Sequence, residues 1–230
     1  MTDRTQGVSA VGVADGPSRW AIDTFGFANA VTLRKRIPAA LQRTVERAMD
    51  AREASELTSD HAFGPVRWKV QYEERYAQLR ELSDVTELHP PGAQIRITLC
   101  AGQLLLPWHY SEKSDVEVRR VRPDRRLSRL ARDLLALYGP TPRYEQPALP
   151  LPQLDPPEVR DRAELRELVE RLTAAPGVVL IAYACNSDAG LLRVSWGEAA
   201  LIGQDRLEWE HVEELPLPGD PSKDRRGFAA

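Results

Sequence analysis

Apolar residues recur along this chain with two different spacings, and the switch between them divides it into elements. From about Pro38 to Leu57 the positions Leu41, Val45, Ala48 and Met49 form a helical stripe, with Pro38 suited to the first turn. A second helix begins near Pro65, where Trp68, Tyr72, Tyr76 and Leu79 share one face and predict a core-packing stripe. The spacing then shortens. QIRITLC (94–100) alternates cleanly, Ala101-Gly102 supplies a turn, and QLLLPWHY (103–110) reads as the returning strand, with Pro107 suited to an edge or a bulge. SEKSD is a turn, and VEVRRVR (116–122) predicts a third, shorter strand. A helix follows over 124–138, with Asp124 as N-cap, a leucine stripe, and Gly139-Pro140 as the stop.

Residues 139–157 are dense in proline and read as an extended linker. Helical spacing returns with Leu165, Leu168, Val169 and Leu172, after Asp155-Pro156-Pro157-Glu158 as a start signal. VVLIAYAC (178–185) predicts a buried strand, LLRVSWGEAALI (191–202) a strand bulged at Gly197, and LEWEHVEEL (207–215) a closing strand. The Gly-, Ser- and Ala-rich residues 1–31 read as a mobile N-terminal arm, and 218–230 as a disordered tail.

An internal correspondence runs through this pattern. Ala77–Leu82, Gly92, Cys100, Leu104-Leu105 and Trp108 recur as Ala163–Leu168, Gly177, Cys185, Leu191-Leu192 and Trp196, 85 to 88 residues later. The predicted fold is therefore α+β with two similar lobes, each a helix followed by a three-stranded antiparallel meander. An extra N-terminal helix and a central Arg-rich helix complete it. Residues 32–138 hold the helical part plus a first αβββα lobe, 139–157 the Pro-rich linker, and 158–217 a second αβββ lobe.

Composition changes this picture little. The 230 residues carry a net charge of −3 at a hydrophobic share of 42%, ordinary for a globular chain. No apolar run reaches the roughly 18 residues of a membrane span, and the start lacks a secretory h-region, so a cytoplasmic location is expected. The two cysteines lie in strand-like runs, which favours buried thiols, and His and Cys show no metal-binding spacing. No metal or cofactor is expected. The basic residues are nearly all arginine, which lowers the weight of arginine counts alone.

Three groups of residues could carry chemistry. His109, beside Tyr110, Glu112 and Asp115, could serve as a general acid or base at a strand end, or form an interaction cluster. No catalytic signature accompanies it. Arg119, Arg120, Arg122, Arg125, Arg126, Arg129 and Arg132 give residues 116–148 a local surplus of positive charge, while the chain after 148 is acidic. Such a surface can bind phosphate or nucleic acid, or simply attract the acidic second lobe. Glu208, Glu210, Glu213 and Glu214 alternate with apolar residues, as on a charge-blunted edge strand.

The order helix, three strands, basic helix over 65–138 resembles that of a double-stranded RNA-binding domain. The glycine-rich, lysine-paired approach to that family's last helix is replaced here by Arg122-Pro123-Asp124-Arg125-Arg126. Taken together, the chain reads as a non-enzymatic cytoplasmic binding or accessory module in a larger complex, with a protein partner and no membrane. A nucleic-acid-associated protein using the arginine surface is the second reading, and a hydrolase or nuclease around His109 the third.

Overall fold

The computed structural model describes residues 16–56, 61–90, 93–123, 127–143, 156–203 and 205–219. In chain order these form α1 (Arg19–Phe25), α2 (Phe27–Ala54), α3 (Phe63–Leu79), β1 (Val85–Leu88), β2 (Ile97–Cys100) and β3 (Gln103–Ser111). A 3-10 turn at Val118–Arg120 follows, then α4 (Arg129–Tyr138), α5 (Pro156–Leu172), β4 (Gly177–Asn186), β5 (Gly190–Ile202) and β6 (Arg206–Leu215). The fold is mixed α+β. Its strands make one six-stranded sheet in the order β1-β2-β3-β4-β5-β6. Every neighbouring pair is antiparallel except β3 and β4, which run parallel from Gln103↔Gly177 to Ser111↔Ala184. No helix among the described residues is long and apolar enough to cross a membrane.

β4 shows why the sheet is covered on both faces. Val178, Leu180, Ala182 and Ala184 point into one core, with Leu127, Ala131, Leu134 and Leu135 of the α4 region and Leu165 and Val169 of α5. Val179, Ile181, Tyr183 and Cys185 point into the other, with Ala21, Phe25, Leu33, Ile37, Leu41 and Val45 from α1 and α2. A strand buried on both faces reads as an unbroken apolar run, as 178–185 does. Burying each large aliphatic side chain stabilises the fold by roughly 1.5–3 kcal/mol.

Several expectations are corrected. VEVRRVR does not form a strand; Val118–Arg120 is a 3-10 turn, and the β3 edge left open beyond Leu105 stays unpaired among the described residues. The third strand of the first meander is instead β1, paired with β2 from Val85↔Cys100 to Leu88↔Ile97. The helix expected to begin at Pro38 begins at Phe27, and Pro38 lies buried inside it beside Ile37, Ala40 and Leu41. Arg19–Phe25, within the stretch read as an arm, form α1, with Ser18 capping its first turn by accepting from the Ala21 N–H. α4 is likewise capped by Ser128, through the Ala131 N–H, and not by Asp124, which lies outside the described residues. The irregularity expected at Gly197 falls next to it, between Glu198 and Ala199.

The two meanders, β1–β2–β3 and β4–β5–β6, lie edge to edge in the same sheet. Their paired tryptophans take opposite sides: Trp108 enters the α4/α5 core and Trp196 the α1–α3 core. The Ala77–Leu82 string runs past the end of α3, whereas Ala163–Leu168 sits inside α5. The linker residues 144–155 and the tail from 220 lie outside the described residues.

Candidate ligand-binding pocket

The parallel junction leaves a gap beside β3. β2 has only four residues and its pairing reaches no further than Thr98↔Leu105, while β3 continues to Ser111 with β4 alone beside it. Pro107 falls in this stretch, where a missing N–H costs no bond to β2. α3 packs over the same region. Between them lies a pocket of about 250 Å³, lined by Arg67, Trp68, Gln71 and Tyr72 of α3, Pro107 and His109 of β3, Tyr183 of β4, and Glu112 and Ser128 at its margins.

A chain of hydrogen bonds fixes the walls. The Tyr183 hydroxyl donates to Gln71 Oε1 at 2.7 Å, and Gln71 Nε2 donates to the Trp68 carbonyl at 3.0 Å. His109 Nε2 lies 3.1 Å from the Cys185 carbonyl, which can only accept, so this nitrogen carries the proton. The His109 ring sits 5.4 Å from that of Tyr183. Trp68 meets Tyr72 edge to face at 6.2 Å and is 44% exposed at the mouth.

Two arginines of α3 belong to this region: Arg67 lines the pocket and Arg75 lies behind its tyrosines. Arg67 lies over the Tyr183 ring at 5.9 Å and points Nη1 at Cys185 Sγ, 3.8 Å away, while its Nε is buried without a partner among the described residues. Arg75 is 2% exposed, its guanidinium 5.2 Å from the centre of the Tyr72 ring, and none of its three nitrogens has a partner among the described residues. Burial holds the Arg75 guanidinium down to about 10, with Tyr72 and Tyr183 pulling the other way.

The potential nucleophiles here are quenched. Burial pushes the Cys185 thiol up to about 11, more than Arg67 can offset, and pushes the Tyr183 hydroxyl up as well. Groups held in their protonated forms are poor nucleophiles, so the arrangement suits recognition better than covalent chemistry.

The residues singled out in the sequence are scattered by this fold. His109 enters the pocket and Glu112 its rim, but Tyr110 points to the opposite core, packed on Trp108 at 5.8 Å, because neighbours on a strand alternate faces. Asp115 is exposed beyond Ser111. Arg119, Arg120, Arg122 and Arg129 are exposed. Arg120 pairs with Glu117 at 2.8 Å, Arg122 with Asp205 at 3.8 Å and Arg129 with Asp133 at 3.9 Å. Arg132 keeps its Nε buried, and Arg125 and Arg126 lie outside the described residues. On the edge strand β6, Glu213 accepts from Trp196 Nε1 at 2.7 Å and Glu214 pairs with Arg193 at 3.3 Å. No group of three or more His, Cys, Asp or Glu among the described residues is placed to hold a metal ion.

Sequence reasoning missed Arg67, Gln71, Arg75 and Tyr183. It also read Trp68 as core, whereas the buried stripe of α3 runs through Phe63, Val70, Gln71, Tyr72, Arg75 and Leu79. The available signal was Arg75 itself, a charge three residues after Tyr72 and four before Leu79 on the inward face. No family model, curated protein or solved structure matches the chain.

Proposed function

We propose that this chain is a non-enzymatic binding protein, an accessory module of a larger complex, and that it recognises its counterpart at the α3–β3 pocket. One observation carries this reading: a pre-formed pocket with aromatic walls and fixed polar groups, whose hydroxyl and thiol neighbours are held protonated by burial. Concave sites with a few convergent polar groups are where proteins bind small groups and side chains. The exposed indole of Trp68 at the mouth provides the large, rigid surface that dominates recognition energetics. His109 contributes as a wall, its Nε2 committed to the Cys185 carbonyl.

The arginine surface ranks below the pocket as a recognition site because Arg120, Arg122 and Arg129 face carboxylates of this same chain. Native-level expression followed by crosslinking tests the proposal. A defined partner should co-purify with the wild-type chain and be lost from Trp68→Ala, while circular dichroism shows the variant folded. A clean monomer under crosslinking, or a partner held equally well by Trp68→Ala, would sink it.

A further inference from the structure

The charged groups around the pocket differ in burial with their sign, the cations lying deeper than the carboxylate. Of the nine lining residues, Arg67 is the only cation and Glu112 the only carboxylate, and Glu112 stands exposed at the rim. Behind the tyrosines lies a second cation, Arg75, fully enclosed. The carboxylates next to it in sequence, Glu73 and Glu74, are turned towards α2, where Arg47 takes them at 3.7 and 2.7 Å. The positive charge beneath this wall is therefore not neutralised by α3's own acids.

Burying guanidinium N–H groups without an acceptor is costly, and an anion in the pocket would lower that cost at Arg67, which lines it, while Arg75 stays enclosed behind the tyrosines. Two further features have the same sign. Ser128, the N-cap of the ten-residue α4, lines the pocket, so the N-terminal end of that helix, where its dipole is positive, lies at the pocket's margin. The Arg67 Nε–H is buried and lacks an acceptor among the described residues. The lining also includes the exposed Trp68 indole and Pro107, which offer apolar surface to whatever carries the charge.

We propose that the pocket binds a small organic oxyanion, a carboxylate or phosphate on a flat apolar body, with the oxyanion paired to Arg67 and the body against Trp68 and Pro107. Arg75 contributes through its field from behind Tyr72 and Tyr183, where the low dielectric of the interior extends its reach. A guanidinium matches the planar, two-oxygen face of such groups, which a lysine would not. The volume of about 250 Å³ accommodates a single ring with its acid. The inference rests on the pocket being the recognition site and adds the class of group recognised there.

The test is a titration of the full chain, followed by amide and indole NMR at low salt, with benzoate, phenyl phosphate and the neutral isostere benzamide. The Trp68 indole signal is assigned by its loss in Trp68→Phe. Benzoate or phenyl phosphate should move this signal, raise the melting temperature, and bind at least about tenfold more tightly than benzamide, since a charge-assisted pair is worth that factor or more. Arg67→Gln should remove about the same factor for the anions and leave benzamide unchanged. Should Arg67→Gln fail to fold, salt decides on the wild type: anion affinity must fall with sodium chloride while that of benzamide holds. Benzamide binding as well as benzoate would overturn the anion assignment and leave the pocket reading intact. If no probe perturbs Trp68 or Tyr183, the pocket reading fails with it.

Discussion

Cys100 and Cys185 each lie near the end of a strand, both facing the α1–α3 core, and both are free and buried. Burial pushes the first up to about 12 and the second to about 11, from an unperturbed 9.0. A thiol raised on folding favours the folded state as long as the unfolded chain also keeps its proton. That contribution is full below about pH 9 and is lost as pH rises towards 11 and 12, because the unfolded chain ionises first. Tyr72 and Tyr183, also raised by burial, add to the loss above about pH 10, while the lowered Arg75 opposes it there. Urea midpoints should therefore fall steadily above about pH 9, and the double variant Cys100→Ala/Cys185→Ala should flatten the first part of that fall. A midpoint constant through this range would show that the thiols are not held protonated by burial. Burial of the cysteines was legible from their apolar strand contexts. The burial of Arg75 was not, since a charged residue on a helix is read as solvated unless its exact face is known.

At the scale of elements, α1 shows where composition misleads. Residues 1–31 have no sustained period, yet seven of them form the short helix α1, docked through Ala21, Ile22 and its two aromatic residues. Phe25 lies flat on Trp196 at 5.3 Å, and Trp20 stacks on His211 at 4.4 Å, so tertiary contacts led by these rings hold an element too short to be stable by itself. Phe25→Ala should cost about 3–5 kcal/mol, the range for truncating a buried aromatic, and release α1. Protease cleavage near Gly26 reports that release directly; unchanged cleavage with unchanged stability would mean that α1 is not held by this ring. β1 escaped notice for a related reason: four residues give too short an alternation, and the strand is defined by its partner β2. VEVRRVR has the β-branched pattern of a strand, yet it turns at Val118–Arg120 and joins no strand of the sheet. Local preference yields there to topology, as it does at Pro38, whose fixed φ suits a helix and whose ring is buried within α2.

On the scale of the molecule, the sequence indicated a mixed α+β fold but not how its strands join into one sheet. A parallel pairing between strands so distant in sequence leaves no local trace, and the pocket depends on it, because only the mismatch between short β2 and long β3 opens the gap that α3 roofs. That joint also bears on how the molecule unfolds. Eight registered pairs link β3 to β4, and each core draws on both meanders: Cys100 and Leu105 share one with Trp196 and Leu215, Leu88 and Trp108 the other with Leu207 and Trp209. Trp108 and Trp209, from different meanders, stack at 6.5 Å. Opening either meander would expose apolar surface of both layers at once, so partial unfolding has no low-energy form. Urea unfolding should accordingly give coincident transitions by far-ultraviolet circular dichroism and by the fluorescence of single-tryptophan variants retaining Trp108 or Trp196. Two separated transitions, one for each tryptophan, would show instead that the meanders fold as independent lobes and that the β3–β4 ladder is a docking seam between them.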